Sequence, residues 1–401
     1  MARRSSILDA VVVGAGVVGA TAALALARDG RRVALVEARQ PEPWQASRHD
    51  PRVFALAQDS VALLDGLGLW SAIRVSRAQS YRRMQVWDAA GGGELVFDGD
   101  RLGHPTLGWI VEQGVLIEHL WRALAVEAGV ERYCPERVAG FVSEADAISV
   151  DLAAAGRLRA RVLVAADGAG SALREMAGIS VDRHDYRQRA LVAYVATSQP
   201  HGETAWQRFL PDGPLAFLPF SDGVFAQAAP GCTSSIVWTQ SEAEAERRLA
   251  VPDAVFRSEL ERAFDATLGE IVAATPPLAF PLRRQLAAEY VAGRMVLVGD
   301  AAHAVHPLAG QGVNLGLRDV ACLRRMIAAA GERDIGAPWR LARYQRERRS
   351  DATVSAHAFE TIDRLFSNDA VLPTLVRGHL LGLAGHMPLL PRLLWRHAAG
   401  L

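Results

Sequence analysis

Three stretches of this chain combine glycines with a single carboxylate at spacings suited to a ligand that carries phosphate and ribose. In the first, Gly14-Ala15-Gly16-Val17-Val18-Gly19 follows the apolar run Ala10 to Val13 and leads into an alanine-rich segment, Ala20 to Arg28. Asp29-Gly30 closes that segment, and a second apolar run, Val33 to Val36, ends in Glu37. Strand, glycine turn, helix and strand in this order make a dinucleotide fingerprint. Gly14 permits the tight turn, Gly16 lets a pyrophosphate approach the backbone, and Gly19 lets helix and strand pack closely. Glu37 is placed to accept hydrogen bonds from an adenosine ribose and would repel a 2′-phosphate. The motif does not distinguish FAD from NAD.

The second stretch follows the apolar run Val162 to Ala165 and reads Asp167-Gly168-Ala169-Gly170-Ser171-Ala172-Leu173-Arg174. Its pattern sets a carboxylate, a permissive glycine, a helix-capping serine and a first-turn arginine around one loop. A cation is disfavoured at a helix N-terminus, so Arg174 is expected to meet an anion there. The third stretch follows Met295 to Val298. Gly299-Asp300 breaks that strand, and Pro307 forces an extended backbone at His306. Gly310, Gly312 and Gly316 then lead into a helix carrying Leu315, Leu317 and Val320. Asp300, at a strand end, suits a ligand hydroxyl, and Gly310-Gln311-Gly312 lets backbone N–H groups approach a flat or anionic ligand at a helix N-terminus. The plainer alternative is a tight turn with Asp300 as an ordinary N-cap.

The elements that must hold these loops alternate between helix and strand. Arg52 lies in the basic loop Arg48 to Arg52, where it either meets a phosphate or faces water. Val53 to Leu69 reads as an amphipathic helix through Leu56, Val61, Leu64 and Leu67. Short strands are expected over 84–110 around Gly91-Gly92-Gly93, a helix over Val115 to Ala128 with Gln113 just before it, and a hairpin over Val138 to Val150. From Ala190 to Trp238 the texture changes to an antiparallel meander, LVAYVAT, AWQRFL, PLAFLPF, VFAQAA and SIVW. Phe209, Phe217, Phe220 and Trp238 are its candidate cavity residues. Helices over Ser241 to Phe264, broken at Pro252, and a return strand over Leu278 to Leu286 complete an inserted sheet laid over the cofactor. The expected division is a dinucleotide-binding domain of 1–80, 111–185 and 286–350, a substrate domain of 81–110 and 186–285, and a helical region of 351–401.

The bulk numbers exclude several classes. The formal net charge is zero over 401 residues, so no general attraction to nucleic acid is implied. Lysine is absent, which excludes Schiff-base lysine chemistry and a P-loop. Cys134, Cys232 and Cys322 stand apart, so neither a disulfide framework nor a metal site is expected. The short apolar run near the N-terminus flows straight into a glycine motif and is not read as a signal peptide. Val371 to Leu401 holds Arg377, Arg392 and Arg396 and no acidic residue. This tail reads either as a surface that lies on an anionic membrane or as helices packed on the main domain or at a dimer interface. A cytoplasmic protein is expected, with the inner membrane face as a peripheral location.

The three glycine–acid motifs in this order resemble the group A flavoprotein aromatic hydroxylases, over nearly the whole chain. More narrowly, HPLAGQGVNLGLRD at residues 306–319, DPRVFALAQDSVALLDGLGLW at 50–70 and LFSND at 365–369 are similar to the ubiquinone-biosynthesis hydroxylases. The resemblance implies an α/β fold, with a Rossmann-like FAD-binding domain of the para-hydroxybenzoate-hydroxylase kind, an inserted antiparallel-sheet substrate domain and a C-terminal helical tail. It implies FAD held by Gly14, Gly16, Gly19, Glu37, Arg52, Gln113, Asp167 and Asp300, with Pro307, Gly310, Gln311, Gly312, Val313 and Asn314 beside the isoalloxazine. It also implies NAD(P)H as transient donor, O2, a polyprenylated phenol as substrate, a flavin C4a-hydroperoxide as oxygen donor, and other ubiquinone-biosynthesis proteins as partners. Many relatives carry Asn-Arg where this chain has Gln113-Gly114, so one arginine contact is missing or supplied elsewhere. No protein nucleophile is required and no catalytic residue is assigned; His303 or His306 is a candidate proton relay, His306 the more structural of the two. A hydroxylase of another small aromatic, a prenyl reductase and a non-catalytic flavin-binding subunit are the competing readings.

Overall fold

The computed structural model describes residues 7–89, 93–304 and 311–366. Its first sheet runs, edge to edge, through Val291–Ala292, Met295–Leu297, Arg157–Ala165, Leu8–Val13, Val33–Val36 and Val130–Tyr133. The last five of these are mutually parallel. Parallel strands buried on both faces read as unbroken apolar runs, which is why four of them were visible in the sequence. The helix Val17–Arg28 crosses between the first two strands and buries nearly every residue. A hairpin, Val138–Ser143 and Ile148–Leu152, extends one side of the sheet.

The second sheet has nine strands and is mixed. Val181–Thr197, Thr233–Ser241, Gly213–Pro219 and Thr204–Leu210 form the expected antiparallel meander. Thr204–Leu210 then pairs in parallel with Arg83–Asp88, which extends the sheet to Glu94–Asp98. The expected strand VFAQAA, residues 224–229, is instead irregular chain. The border set at 185/186 falls inside the strand Val181–Thr197, whose pairing with Leu278–Ala287 shifts register between Asp185 and Arg189. Arg187 sits at that shift with φ +53°, a conformation that bends the strand without ending it.

One face of this sheet is covered by the helices Glu242–Ala250 and Asp253–Ala263. Leu191, Leu215, Phe217, Ile236 and Trp238 meet Phe256 and Leu260 there, in a core separate from that of the first sheet. A third, three-stranded sheet joins Val53–Leu56, Gly108–Glu112 and Ala78–Tyr81. Val53 to Leu56 is therefore a strand rather than the start of a helix. Helix begins only at Gln58, as Gln58–Gly66, and resumes as Trp70–Arg77. Apolar spacing across 53–69 suits a helix, but pairing of Val53 to Leu56 with residues 109–112 satisfies the backbone another way.

The third motif joins the two large sheets. After Leu297 a short 3-10 turn, Gly299–Ala301, leads to His303 and Ala304, which pair with Leu286 and Gln285 of the second sheet. No helix among the described residues is long and apolar enough to cross a membrane.

Candidate functional site

The three motifs converge because their strands are neighbours. Val13 lies beside Ala165, Ala165 beside Leu297, and Val13 beside Val36. The residues that follow, Gly14, Asp167, Asp300 and Glu37, therefore share the carboxyl edge of one parallel sheet, the place where open α/β sheets bind ligands. Gly14 has φ +95°, and a Cβ there would come within 2.3 Å of the Ala166 carbonyl oxygen. A Cβ on Gly19 would lie 1.9 Å from the Gly14 oxygen, whereas Gly16 faces open space. No side chain caps the helix that starts at Val17, and no acid stands in its first turn. Its first N–H groups are thus left for an anionic ligand. The Glu37 carboxylate accepts from the Ala15 N–H at 2.6 Å and the Arg39 N–H at 3.0 Å, which ties the second strand to the glycine turn.

In the second motif Ser171 caps its helix as expected, accepting from the Arg174 N–H at 3.0 Å. Asp167 accepts from the Ser171 hydroxyl at 2.6 Å and the Leu173 N–H at 3.1 Å. Among the described residues Arg174 forms no ion pair. Its buried guanidinium donates to the carbonyls of Ala301 and Ala169, so it clamps the third motif's turn to the second's loop. Two carbonyl dipoles supply the negative partner that sequence reasoning sought in a ligand.

Asp300 itself accepts from no donor among the described residues, and its surface is open. The surrounding protein still pushes its carboxyl above the usual range by burial, with the nearby His303 pulling the other way. Asp300 is itself exposed, and solvent screens that effect. Beneath it, His303 Nε2 lies 2.7 Å from Asp319, which also accepts from the Gly299 N–H at 2.8 Å and from Arg348 Nε at 2.7 Å. Burial alone lowers the His303 imidazole, and Asp319 more than reverses this, so the ring titrates above its usual value. His303 is fully buried, and its contact with Asp319 holds the turn. His306, Pro307 and Gly310 lie outside the described residues.

The helix Gln311–Ala328 starts in the same region. A Cβ on Gly316 would touch Val18 at 2.6 Å, so this glycine lets the helix cross close to the dinucleotide turn. A Cβ on Gly312 would meet no described atom within 4 Å. Val313 is buried. The Asn314 side chain is committed to the protein: its oxygen accepts from the Ala57 N–H and the Ser60 hydroxyl, and its amide donates to the Ala55 carbonyl.

Next to this wall lies a cavity of about 310 Å³ whose lining is mostly apolar. Val53, Phe54, Ala55 and Ile110 form one side, and the open face of the second sheet forms the other. Arg52 and Gln113 both line it, as a pair brought together by the Gln113 N–H bond to the Arg52 carbonyl. Arg52 is half exposed and 3.4 Å from Asp50. Phe209, Phe217, Phe220 and Trp238 do not line the cavity and belong to cores. Their strand neighbours Ala216, Leu218, Val237 and Thr239 line it instead. Sequence reasoning also missed Tyr81, whose phenol burial pushes up to about 12, so it stays neutral in the wall. Nor did it find the buried pair of Arg77 and Glu112, 2.8 Å apart. Glu112 accepts from the Asp50 N–H, and Arg77 reaches the carbonyls of Ala46 and Arg48 and lies over Trp44. A Cβ on Gly114 would touch that indole at 3.3 Å. Trp44 thus fills the room above Gly114, and the nearby arginine is Arg77.

A glycine turn with uncapped helix donors, an acid beside it and a second acid free to accept fit a flavin dinucleotide. The family model described as an FAD binding domain matches residues 8–357. The p-nitrophenol 4-monooxygenase PnpA of Pseudomonas putida DLL-E4 has the same fold, with a TM-score of 0.74 at 21% identity over 98% of each chain. So has Klebsiella pneumoniae HpxO complexed with FAD and uric acid, with a TM-score of 0.73 at 19% identity over 98% of each. The chain is an FAD-dependent aromatic-ring monooxygenase of α/β fold. It is 37% identical to the 3-demethoxyubiquinol 3-hydroxylase of Escherichia coli over 98% of both chains. It is 36% identical to the ubiquinone hydroxylase UbiL of Rhodospirillum rubrum, over 98% of this chain and 90% of that one. The human ubiquinone biosynthesis monooxygenase COQ6 is 33% identical over 94% and 89%. This chain belongs to the ubiquinone-biosynthesis hydroxylase family.

Proposed function

We propose that the enzyme hydroxylates the ring of a polyprenylated phenol, consuming O2 and NAD(P)H and releasing water and NAD(P)+. The apolar cavity beside the flavin-site edge carries this reading, since it suits an aromatic ring with a hydrocarbon substituent and excludes water. FAD supplies the redox chemistry and the activation of O2. The chain's own residues bind and orient. Gly14, Gly16 and Gly19 open the pyrophosphate path, Glu37 accepts from the adenosine ribose, and Asp300 accepts from the ribityl chain. Asp167 steadies the loop next to both and serves the dinucleotide through it. Arg52 and Gln113, which line the cavity, assist at its flavin side, and the start of the helix at Gln311, Gly312, Val313 and Asn314 presents backbone donors that favour negative charge on the reduced ring.

The test supplies purified enzyme with a short-chain polyprenylphenol, NAD(P)H and 18O2. One labelled oxygen per product and phenol-stimulated NAD(P)H oxidation are expected. Absence of both, with FAD bound, would leave the protein a flavin-binding subunit. A strain lacking this protein is expected to accumulate the unhydroxylated precursor, which identifies the ring carbon.

The insolubility of such a phenol also supports peripheral contact between the tail at 371–401 and an anionic lipid surface. That segment lies outside the described residues, and its three arginines without acids are the supporting feature. Wild type is expected to float with anionic liposomes at low salt and an Arg377/Arg392/Arg396→Glu variant to stay below. Equal behaviour of the two would assign the tail to packing.

A further inference from the structure

One row of the second sheet crosses the cavity wall as Val192, Val237, Ala216 and Gln207, each paired with the next across four adjacent strands. The first three are hydrocarbon, and the fourth is a carboxamide. Gln207 is 8% exposed and lines the cavity. Both strand neighbours have protein partners: Trp206 Nε1 donates to the His201 carbonyl at 3.2 Å and Arg208 Nη1 to the Ala263 carbonyl at 2.9 Å. The Gln207 carboxamide has no such partner among the described residues. A buried amide is costly without one, and the cavity that Gln207 lines is where a ligand can supply it.

We propose that Gln207 recognises the ring of the substrate, hydrogen-bonding its oxygen substituents and so setting which ring carbon is hydroxylated. This rests on the aromatic hydroxylase reading above. A carboxamide is the apt group because it carries both an acceptor and donors. Its oxygen accepts from the phenol hydroxyl while its N–H donates to a neighbouring hydroxyl or ether oxygen on the same ring. A carboxylate would offer acceptors only and would turn an ether away. The hydrocarbon members of the row, Ala216 above all, leave the ring room to lie flat against the sheet beside that amide.

The experiment compares two phenols that differ by one ring methoxy group, with wild type, Gln207→Leu and Gln207→Glu. Wild type is expected to prefer the methoxylated ring in kcat/KM. In Gln207→Leu that preference falls about 10-fold, as for loss of one ligand hydrogen bond. The fraction of NAD(P)H converted to hydroxylated product falls with it, and a second ring position becomes hydroxylated. FAD content stays at the wild-type level in both variants, which separates ring recognition from general damage. Gln207→Glu is expected to keep the plain phenol and lose the methoxylated one. Preference, coupling and product position all within twofold of wild type in both variants would overturn the proposal. Titration of the flavin spectrum with the two phenols reads the same preference as binding. If no wild-type turnover is found, the hydroxylase reading fails, while unequal binding lost in Gln207→Leu still upholds Gln207 and equal binding still overturns it.

Discussion

Asp319→Ala is expected to destabilise the protein by about 3–5 kcal/mol, the cost of removing one member of a buried charged cluster and leaving the others uncompensated. Asp319 is fully buried, and it is the shared partner of His303, Arg348 and the Gly299 N–H. Arg348 keeps Asp351 at 2.7 Å, but His303 loses its one ion-pair partner among the described residues. The effect should be read as urea unfolding of the FAD-free protein, and a loss below about 1 kcal/mol would refute this account of the cluster. Its pH dependence has a defined sign. The His303 contribution, from a raised pKa, is complete below the usual 6.5 and disappears as pH rises through the folded value. Burial raises Asp319, but His303 and Arg348 outweigh it and hold the carboxyl low, so its contribution is complete above 3.8 and is lost as pH falls. The stability difference between wild type and Asp319→Ala should therefore be largest between these two limits and shrink on either side.

Asp300→Ala should give the opposite combination, with FAD lost and the fold kept. The carboxylate is open and accepts no hydrogen bond among the described residues, so the apoprotein's unfolding should change by about 0.5 kcal/mol or less. If it accepts from a ribityl hydroxyl, its removal costs about 1–3 kcal/mol, which is roughly a 5- to 150-fold rise in the FAD dissociation constant. Reconstitution of apoprotein followed by flavin fluorescence measures this directly. An unchanged constant would remove Asp300 from the flavin site. Taken together, the two variants separate the turn's support from its ligand contact, because Asp319 holds the Gly299 N–H from behind while Asp300 faces outward.

The geometry of the three candidate loops was legible in the sequence because its requirements are local. Gly14 needs a positive φ, Gly16 needs an open approach and Gly19 needs contact with a neighbouring turn, and each requirement excludes a side chain at one position. Buried parallel strands announce themselves as apolar runs, so the three loops that follow them were found, and the order of the motifs pointed to the family. Long-range packing decided the rest. Alternation along Gly213–Pro219 and Thr233–Ser241 shows that Ala216 and Phe217, or Val237 and Trp238, face opposite ways, but not which way is the cavity. That choice was made by the two helices at 242–263, which bury the aromatic face and leave the small residues, with Gln207 among them, to line the pocket. In the same way the side chains of Arg174 and Asn314 take partners that lie far away in the chain, Ala301 for the one and Ala55, Ala57 and Ser60 for the other. A sequence records what a residue can bond to; only the folded chain decides which partner reaches it first.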